Sequence, residues 1–517
     1  MSTSPRADPG ALTRLFIRNT TANFALKVIT VLLQLTATAW VVTTYGDGLY
    51  GILVIAMQVS GLMNVIAPGL SGAFTREVAA HSKADDALRL RALIRLGTRL
   101  YLGLGLLLGV ALAGFGAMNG PSWSLLRIAP ERLDDAAWIF IAAGLAVAFR
   151  WPLGVYGDVL AGLQEYPRLA LIRSAAAGVG AATTIWIAVN GWPIATVLFA
   201  QAVLRLFEGL WLRHSALRRL PPLDDSTTGE TVRARSFLRP LASVGRWIGL
   251  IDISRILNYQ ADVVIILMLI SDTAVGAYWI AAKLHNLVRE AQGVLASAIP
   301  SLIAREASAG NHAAVEQILY RGTRYNLVII VPVTIAAALF AGDFLALWLG
   351  EERRALGGLA AAFVSYWAFS AMTTFAAQAA SGMAKVRELG WIAIGCALVN
   401  VSASVLLARP YGIAGVVSAT LMAYALAIPL QMLFVFPRIG VSLQRFLREV
   451  ILPIYPLSFL LLLAFAALRI WVVRTPTTML EMLFQAGIVG SISLALLAWV
   501  ALDQRDRARL LRRLRGS

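Results

Sequence analysis

Long apolar stretches separated by short polar ones recur along the whole chain. Their lengths fit membrane-crossing helices, and they lack the two-residue alternation of half-buried strands. They predict spans at roughly 18–43, 49–75, 92–116, 136–160, 168–189, 194–213, 243–270, 274–303, 323–347, 358–382, 388–407, 412–435, 449–468 and 480–502. The expected fold class is therefore an all-α polytopic membrane protein with about 14 transmembrane helices. Composition points the same way: of 517 residues 59% are hydrophobic and 14% charged, with a mean hydropathy of +0.73. Soluble domains carry roughly 25% charged residues. Spans of about 22 residues leave about 14 residues per connection, which excludes an inserted soluble catalytic domain.

The net charge of +17 suggests nucleic acid until the positions are read. In the tails, the connections and the span ends beside them, 32 Lys and Arg fall on one side of the predicted topology and seven on the other. The seven are Arg127, Arg132, Arg353, Arg354, Arg409, Arg469 and Arg474. That asymmetry is a positive-inside signal, so both termini are expected in the cytoplasm and the basic balance serves topology and anionic lipid, with no nucleic-acid partner. The polar stretch Met1–Gly10 predicts no cleavable signal peptide, and a bacterial inner membrane is the expected location. Cys396 is the single cysteine, and His81, His214, His285 and His312 lack metal-ligand spacing, so no metal site is expected.

The most polar connection, 214–246, contains Pro221, Pro222, Asp224 and Asp225 and reads as a cytoplasmic linker. It separates an N-terminal lobe (1–213, six spans) from a C-terminal lobe (247–437, six spans), followed by an additional helix pair and basic tail (438–517). The lobes share landmarks at a near-constant offset. Gly51 pairs with Gly276, Arg76-Glu77 with Arg305-Glu306, Gly162 with Gly382, and Gly191 with Gly412, at offsets of 225, 229, 220 and 221 residues. Six spans per repeat make the repeats parallel, a transporter architecture with a site expected between the lobes near the midplane.

Polar residues inside spans are costly and therefore functional candidates. In span one, Asn19, Asn23, Lys27, Thr30, Gln34 and Thr38 fall within about 100° of a helical wheel. In span seven Asp252, Arg255, Tyr259 and Asp262 form a stripe, and in span eight Lys283, Asn286, Glu290, Gly293 and Ser297 form another. These stripes predict a shared hydrated cavity. Interhelical hydrogen bonding is the alternative use of such residues, with Asp252 and Arg255 as a neutralised pair. His285, Arg289 and Gln292 lie on the face of span eight opposite Lys283. Arg205 and Glu208 can pair or snorkel, and Arg150, deep in span four, stands open. The Gly105–Gly109 GxxxG reads as a helix contact.

Lys27, Arg255, Lys283, Arg150 and Arg289 are too many cations for a cationic drug. They suit a phosphate or pyrophosphate, which Arg grips through paired donors and Lys as a point charge. Asn23, Tyr259 and Asn286 complete the predicted substrate-binding set. Asp252, Asp262 and Glu290 would balance charge or take a coupling H⁺ or Na⁺, and no other cofactor or catalytic residue is expected.

These residues resemble a family. The Tyr45–Gly51 turn (Tyr-Gly-Asp-Gly-Leu-Tyr-Gly), the Gln260-Ala-Asp262 segment, and Val275-Gly-Ala-Tyr278 with Pro300 are similar to the polysaccharide (Wzx-type, O-antigen) flippases. Those belong to the multidrug, oligosaccharidyl-lipid and polysaccharide (MOP) exporter superfamily. The six-plus-six-plus-two arrangement extends the resemblance over nearly the whole chain. It implies a MATE/MOP-like fold and alternating-access movement of undecaprenyl-pyrophosphate-linked oligosaccharide across the cytoplasmic membrane for surface polysaccharide synthesis. It further implies that Lys27, Arg255, Lys283 and Arg289 contact substrate, and that the lipid bilayer, a polysaccharide polymerase and a chain-length regulator are partners. Against this stand a lipid II flippase, also with fourteen spans, and a multidrug-type exporter, which usually has twelve spans and an acidic cation site. A membrane enzyme would need catalytic outer loops, whereas the longest here, about 117–135, is small.

Overall fold

The computed structural model describes residues 9–61, 74–79, 87–118, 126–220 and 247–501, except positions 76, 248, 249, 252, 259, 297, 298, 384 and 473. Side chains are described from Ile29 onward, except at 61, 87, 89, 294 and 301. Every regular element among these residues is helical. The chain divides into two compact units, Met1–Gly245 and Arg246–Ser517.

Unit 1 contains α1 (Pro9–Gly61), α2 (Ala87–Ala117), α3 (Leu133–Gly162), α4 (Tyr166–Val189) and α5 (Ala195–Leu217). Predicted span one and the first part of span two lie in α1, which breaks at Gly46, where φ is +76°. That left-handed conformation suits glycine and falls in the predicted Tyr45–Gly51 turn. Helix α3 is the centre of the unit, packing on α2 and α5, while α4 packs on α1. The GxxxG of α2 is a helix contact: a Cβ on Gly109 would stand 2.7 Å from the Gly144 carbonyl oxygen of α3. The α5 helix continues to Leu217, so the polar connection begins as helix.

Unit 2 contains α6 (Ala261–Leu269), α7 (Asp272–Ala296), α8 (Ile299–Ser308), α9 (His312–Leu339), α10 (Ala341–Leu349), α11 (Gly357–Gly382), α12 (Arg387–Phe434), α13 (Leu452–Trp471) and α14 (Met479–Ala501). Spans eleven and twelve form one element, α12, broken at Gly412 with φ +59°. Predicted span eight is described in two stretches, α7 and α8, and Pro300 lies in α8.

Ten described stretches are long and apolar enough to cross a membrane. One of them, Arg387–Phe434, holds two predicted spans, and Ile29–Ser60 holds parts of two. Spans two, seven and eight each include positions outside the described residues. Helix α7, which holds most of span eight, carries Asp272, Lys283, Arg289 and Glu290.

The core of unit 2 is tied together by side chains reaching the backbone. His285 is 5% exposed and its Nδ1 lies 2.9 Å from the Phe363 carbonyl oxygen, while Trp367 Nε1 donates to the His285 carbonyl at 2.9 Å. His285 thus faces α11, as its position opposite Lys283 on the wheel predicts. Asp343 on α10 has a fully buried side chain that pairs with Arg354 and with Arg469 of α13. Cys396 is a buried free thiol.

Candidate transport sites

Two polar sites are built inside the units, one in each. The first is in unit 2, around Asp262, whose side chain is wholly buried. The N-terminal turn of α6 holds Asp262, where the helix dipole favours an anion. Its Oδ2 accepts 2.9 Å hydrogen bonds from Tyr278 of α7 and Thr420 of α12. Its Oδ1 faces Asn400 Nδ2 and Ser404 Oγ, each at 3.4 Å. Asn400 and Ser404 are four residues apart, so they share one face of α12. Thr420 comes from the limb beyond Gly412.

This donor set is almost all oxygen and contains one carboxylate. The Thr420 hydroxyl lies 3.1 Å from the Val416 carbonyl, and the Asn400 amide 3.5 Å from the Asn258 carbonyl. Such a set fits a proton or a small hard cation; soft metals prefer nitrogen and sulfur. Among the described residues no group of three or more His, Cys, Asp or Glu gathers to hold a metal.

The second site is in unit 1, a cavity of about 320 Å³ lined by Arg150 and Gly154 of α3, Arg173 of α4, and Arg205, Glu208, Gly209 and Leu212 of α5. Arg205 and Glu208 form an ion pair at 2.5 Å one turn apart, the pairing their spacing predicts. Arg150, left open by the sequence, stands with two further guanidinium groups.

The remaining predicted site residues are more scattered. Arg255 is exposed and Asp262 is buried, and Gln260 forms a turn between them. Two members of the predicted stripe on span seven, Asp252 and Tyr259, lie outside the described residues. Lys283, Asn286 and Arg289 are half-buried and Glu290 is exposed along α7. Asn23 and Lys27 lie in α1, but their side chains are outside the described residues, as are Asp252 and Tyr259.

Sequence reasoning missed Arg173, Asn400, Ser404 and Thr420. The Asn400–Ser404 pair within the apolar run 391–407 was a usable signal.

Residues 139–354 match the family described as "Polysaccharide biosynthesis protein". None of the curated proteins matches the chain in sequence. Among solved structures, the lipid II flippase MurJ in an inward closed conformation superposes with a TM-score of 0.69 at 12% identity, covering 92% of this chain and 98% of that one. An inward-facing multidrug resistance MATE transporter of the MOP superfamily gives 0.62 at 15%, covering 80% and 96%.

The chain has the fold of the MOP exporter superfamily. A MOP superfamily transporter from Pyrococcus furiosus, described as having a binding pocket of reversed polarity, gives 0.56 at 18% identity, covering 86% and 100%. At these identities the neighbours establish the MOP fold. The segment match is to a polysaccharide-biosynthesis family over residues 139–354, in line with the resemblance read from the sequence. The matched segment contains Arg150, Arg173, Arg205 and Asp262, whereas Asn400, Ser404 and Thr420 of the Asp262 site lie beyond it.

Proposed function

We propose that the protein is a flippase that moves undecaprenyl-pyrophosphate-linked oligosaccharide units across the bacterial cytoplasmic membrane for surface polysaccharide synthesis. The observation that carries this reading is the polysaccharide-biosynthesis match over 139–354 in a chain with a MOP transporter fold. The cationic in-span residues add chemical support. Lys27, Arg255, Lys283 and Arg289 bind the pyrophosphate, and Asn23, Tyr259 and Asn286 offer hydrogen bonds to the sugars. The polyprenyl tail stays in the bilayer. The cargo moves by alternating access of the two repeats.

In this reading Asp262 is the coupling centre. Its charge is stabilised by four side-chain donors, and these come from α7 and both limbs of α12. Protonation or binding of Na⁺ removes the need for those donors, so it shifts the balance between arrangements of these helices. Asp252 and Glu290 balance charge along spans seven and eight. Both termini are cytoplasmic, and a polymerase and chain-length regulator receive the product.

The test is the leaflet sidedness of the lipid-linked oligosaccharide pool in a deletion strain, with rescue by wild type and by the Lys27→Ala/Arg255→Ala variant. The expected result is cytoplasmic-face accumulation rescued only by wild type. A correctly sided pool together with loss of peptidoglycan precursor translocation would replace this reading with a lipid II flippase. Loss of drug export alone would replace it with a multidrug exporter.

A further inference from the structure

The unit 1 cavity holds more positive charge than its own side chains balance, and it holds that charge at membrane depth. Arg150 and Arg205 each stand twelve residues, about 18 Å, from the ends of α3 and α5 at Gly162 and Leu217. Arg173 stands seven residues, about 10 Å, from the start of α4 at Tyr166. The positive-inside split assigns these three helix ends to the cytoplasm. With a hydrocarbon core about 30 Å thick, all three guanidinium groups begin from positions inside the span. Placing arginine there is costly, and long side chains escape the cost only by snorkelling or by finding an anion.

The anions at hand are too few. Among the described residues Glu208 is the sole acidic one lining the cavity, and its carboxylate is engaged by Arg205 at 2.5 Å. Arg150 and Arg173 form no ion pair with a described residue. Three guanidinium groups against one carboxylate leave two formal positive charges facing one small volume.

Their geometry is convergent. Arg173 reaches from α4 across to α3, its Nη2 lying 3.1 Å from where a Cβ of Gly157 would stand. Arg150 comes from α3 itself and Arg205 from α5, so three helices each supply one planar, forked donor. Guanidinium forks match phosphate oxygens bidentately. The cavity, about 320 Å³, is at the lower end of the range for small-molecule pockets, about 300–1,000 Å³. It has room for a phosphorylated headgroup and excludes an oligosaccharide. Gly154 leaves that space clear: a Cβ there would meet nothing within 4 Å.

We propose that the cavity lined by Arg150, Arg173 and Arg205 binds the phosphate group of a membrane lipid. The two sources of that chemistry are the diphosphate of a polyprenyl-linked cargo and the phosphodiester of an anionic phospholipid. The site is contained within unit 1 and does not depend on the cargo being a glycan. Glu208 acts as a positioning residue, fixing the Arg205 fork one helical turn away.

The test is direct binding to the purified full chain in detergent, read by native mass spectrometry and by ligand-induced thermal shift. The probes are geranylgeranyl diphosphate, phosphatidylglycerol, inorganic pyrophosphate and, as the zwitterionic control, phosphatidylcholine. Three variants are compared with wild type. Arg150→Gln/Arg173→Gln removes charge and keeps hydrogen-bonding capacity. Arg150→Lys/Arg173→Lys keeps charge and removes the fork. Gly154→Leu fills the cavity and leaves every charge in place.

Wild type is expected to bind at least one anionic probe and to bind it more weakly as salt is raised. The Gln pair should bind at least about tenfold more weakly, with the Lys pair between them. Gly154→Leu should lose binding while its unliganded melting temperature stays near wild type. Binding of the diphosphate alone assigns the site to cargo, binding of phosphatidylglycerol assigns it to bilayer lipid, and either supports the proposal. Equal binding by wild type and Gly154→Leu, or by wild type and the Gln pair, overturns it, as does binding of none of the anionic probes. If the Gln pair does not fold, Gly154→Leu still decides.

Discussion

Gly382 ends α11 directly against Pro300 of α8: a Cβ at Gly382 would stand 2.5 Å from the Pro300 carbonyl oxygen. Unit 1 contains the same arrangement. A Cβ at Gly162, the end of α3, would stand 2.9 Å from the Thr75 carbonyl oxygen and 2.6 Å from Val78 Cγ1. Thr75 and Pro300 are 225 residues apart, and Gly162 and Gly382 are 220 apart. The internal repeat read from the sequence is thus matched by a repeated close contact, one in each unit.

That contact leaves no space for a side chain. Gly382→Ala and Gly162→Ala should each destabilise the protein by about 1–3 kcal/mol through overpacking against backbone. The check is the melting temperature of the purified variants in detergent. Unchanged melting in both would show that the helix ends are not in register as described.

Asp262→Asn should preserve the shape of the buried centre while removing its charge. Folding and monodispersity are expected to survive, because Asn still accepts from Tyr278 and Thr420. Transport by reconstituted Asp262→Asn should no longer respond to an imposed H⁺ or Na⁺ gradient. Retention of a wild-type gradient response would remove Asp262 from the coupling role. Tyr278→Phe deletes one hydrogen bond to the charged carboxylate, and a loss of about 1.5–3 kcal/mol is expected.

The C-terminal helix α13 is held to unit 2 through Asp343, whose buried side chain pairs with both Arg354 and Arg469. The Arg469 guanidinium also lies 4.2 Å from the centre of the Phe340 ring. Asp343→Asn leaves two arginines without their carboxylate. Breaking a buried pair in this way costs about 3–5 kcal/mol, and partial exposure of both arginines should bring the loss towards or below the lower bound. Hydrogen exchange in α13 should rise in Asp343→Asn and fall back in Asp343→Asn/Arg469→Leu. Equal exchange in wild type and Asp343→Asn would contradict this anchoring.

The helical class and the turns were legible in the sequence because both are local. Gly46 and Gly412 punctuate apolar runs where the chain must leave the right-handed helix, and φ is positive at each. The two sites were less legible because they depend on contacts between distant segments. Asp262 was a visible anomaly in an apolar helix, but Thr420 is 158 residues away and reads as an ordinary polar position in its span. Arg150 stood out for its depth. Arg173 did not, because it lies close to a helix start and its reach across to α3 follows from how α4 packs.

The central claim is that this MOP fold carries a lipid-linked glycan. It is tested most directly by reconstituting the purified protein in liposomes with undecaprenyl-pyrophosphate-linked oligosaccharide and following loss of the sugar from the outer surface with a glycan-specific lectin. The predicted result is protein-dependent transfer that weakens in Lys27→Ala/Arg255→Ala. Transfer no faster than in empty liposomes, by protein that still exports a cationic dye, would contradict it.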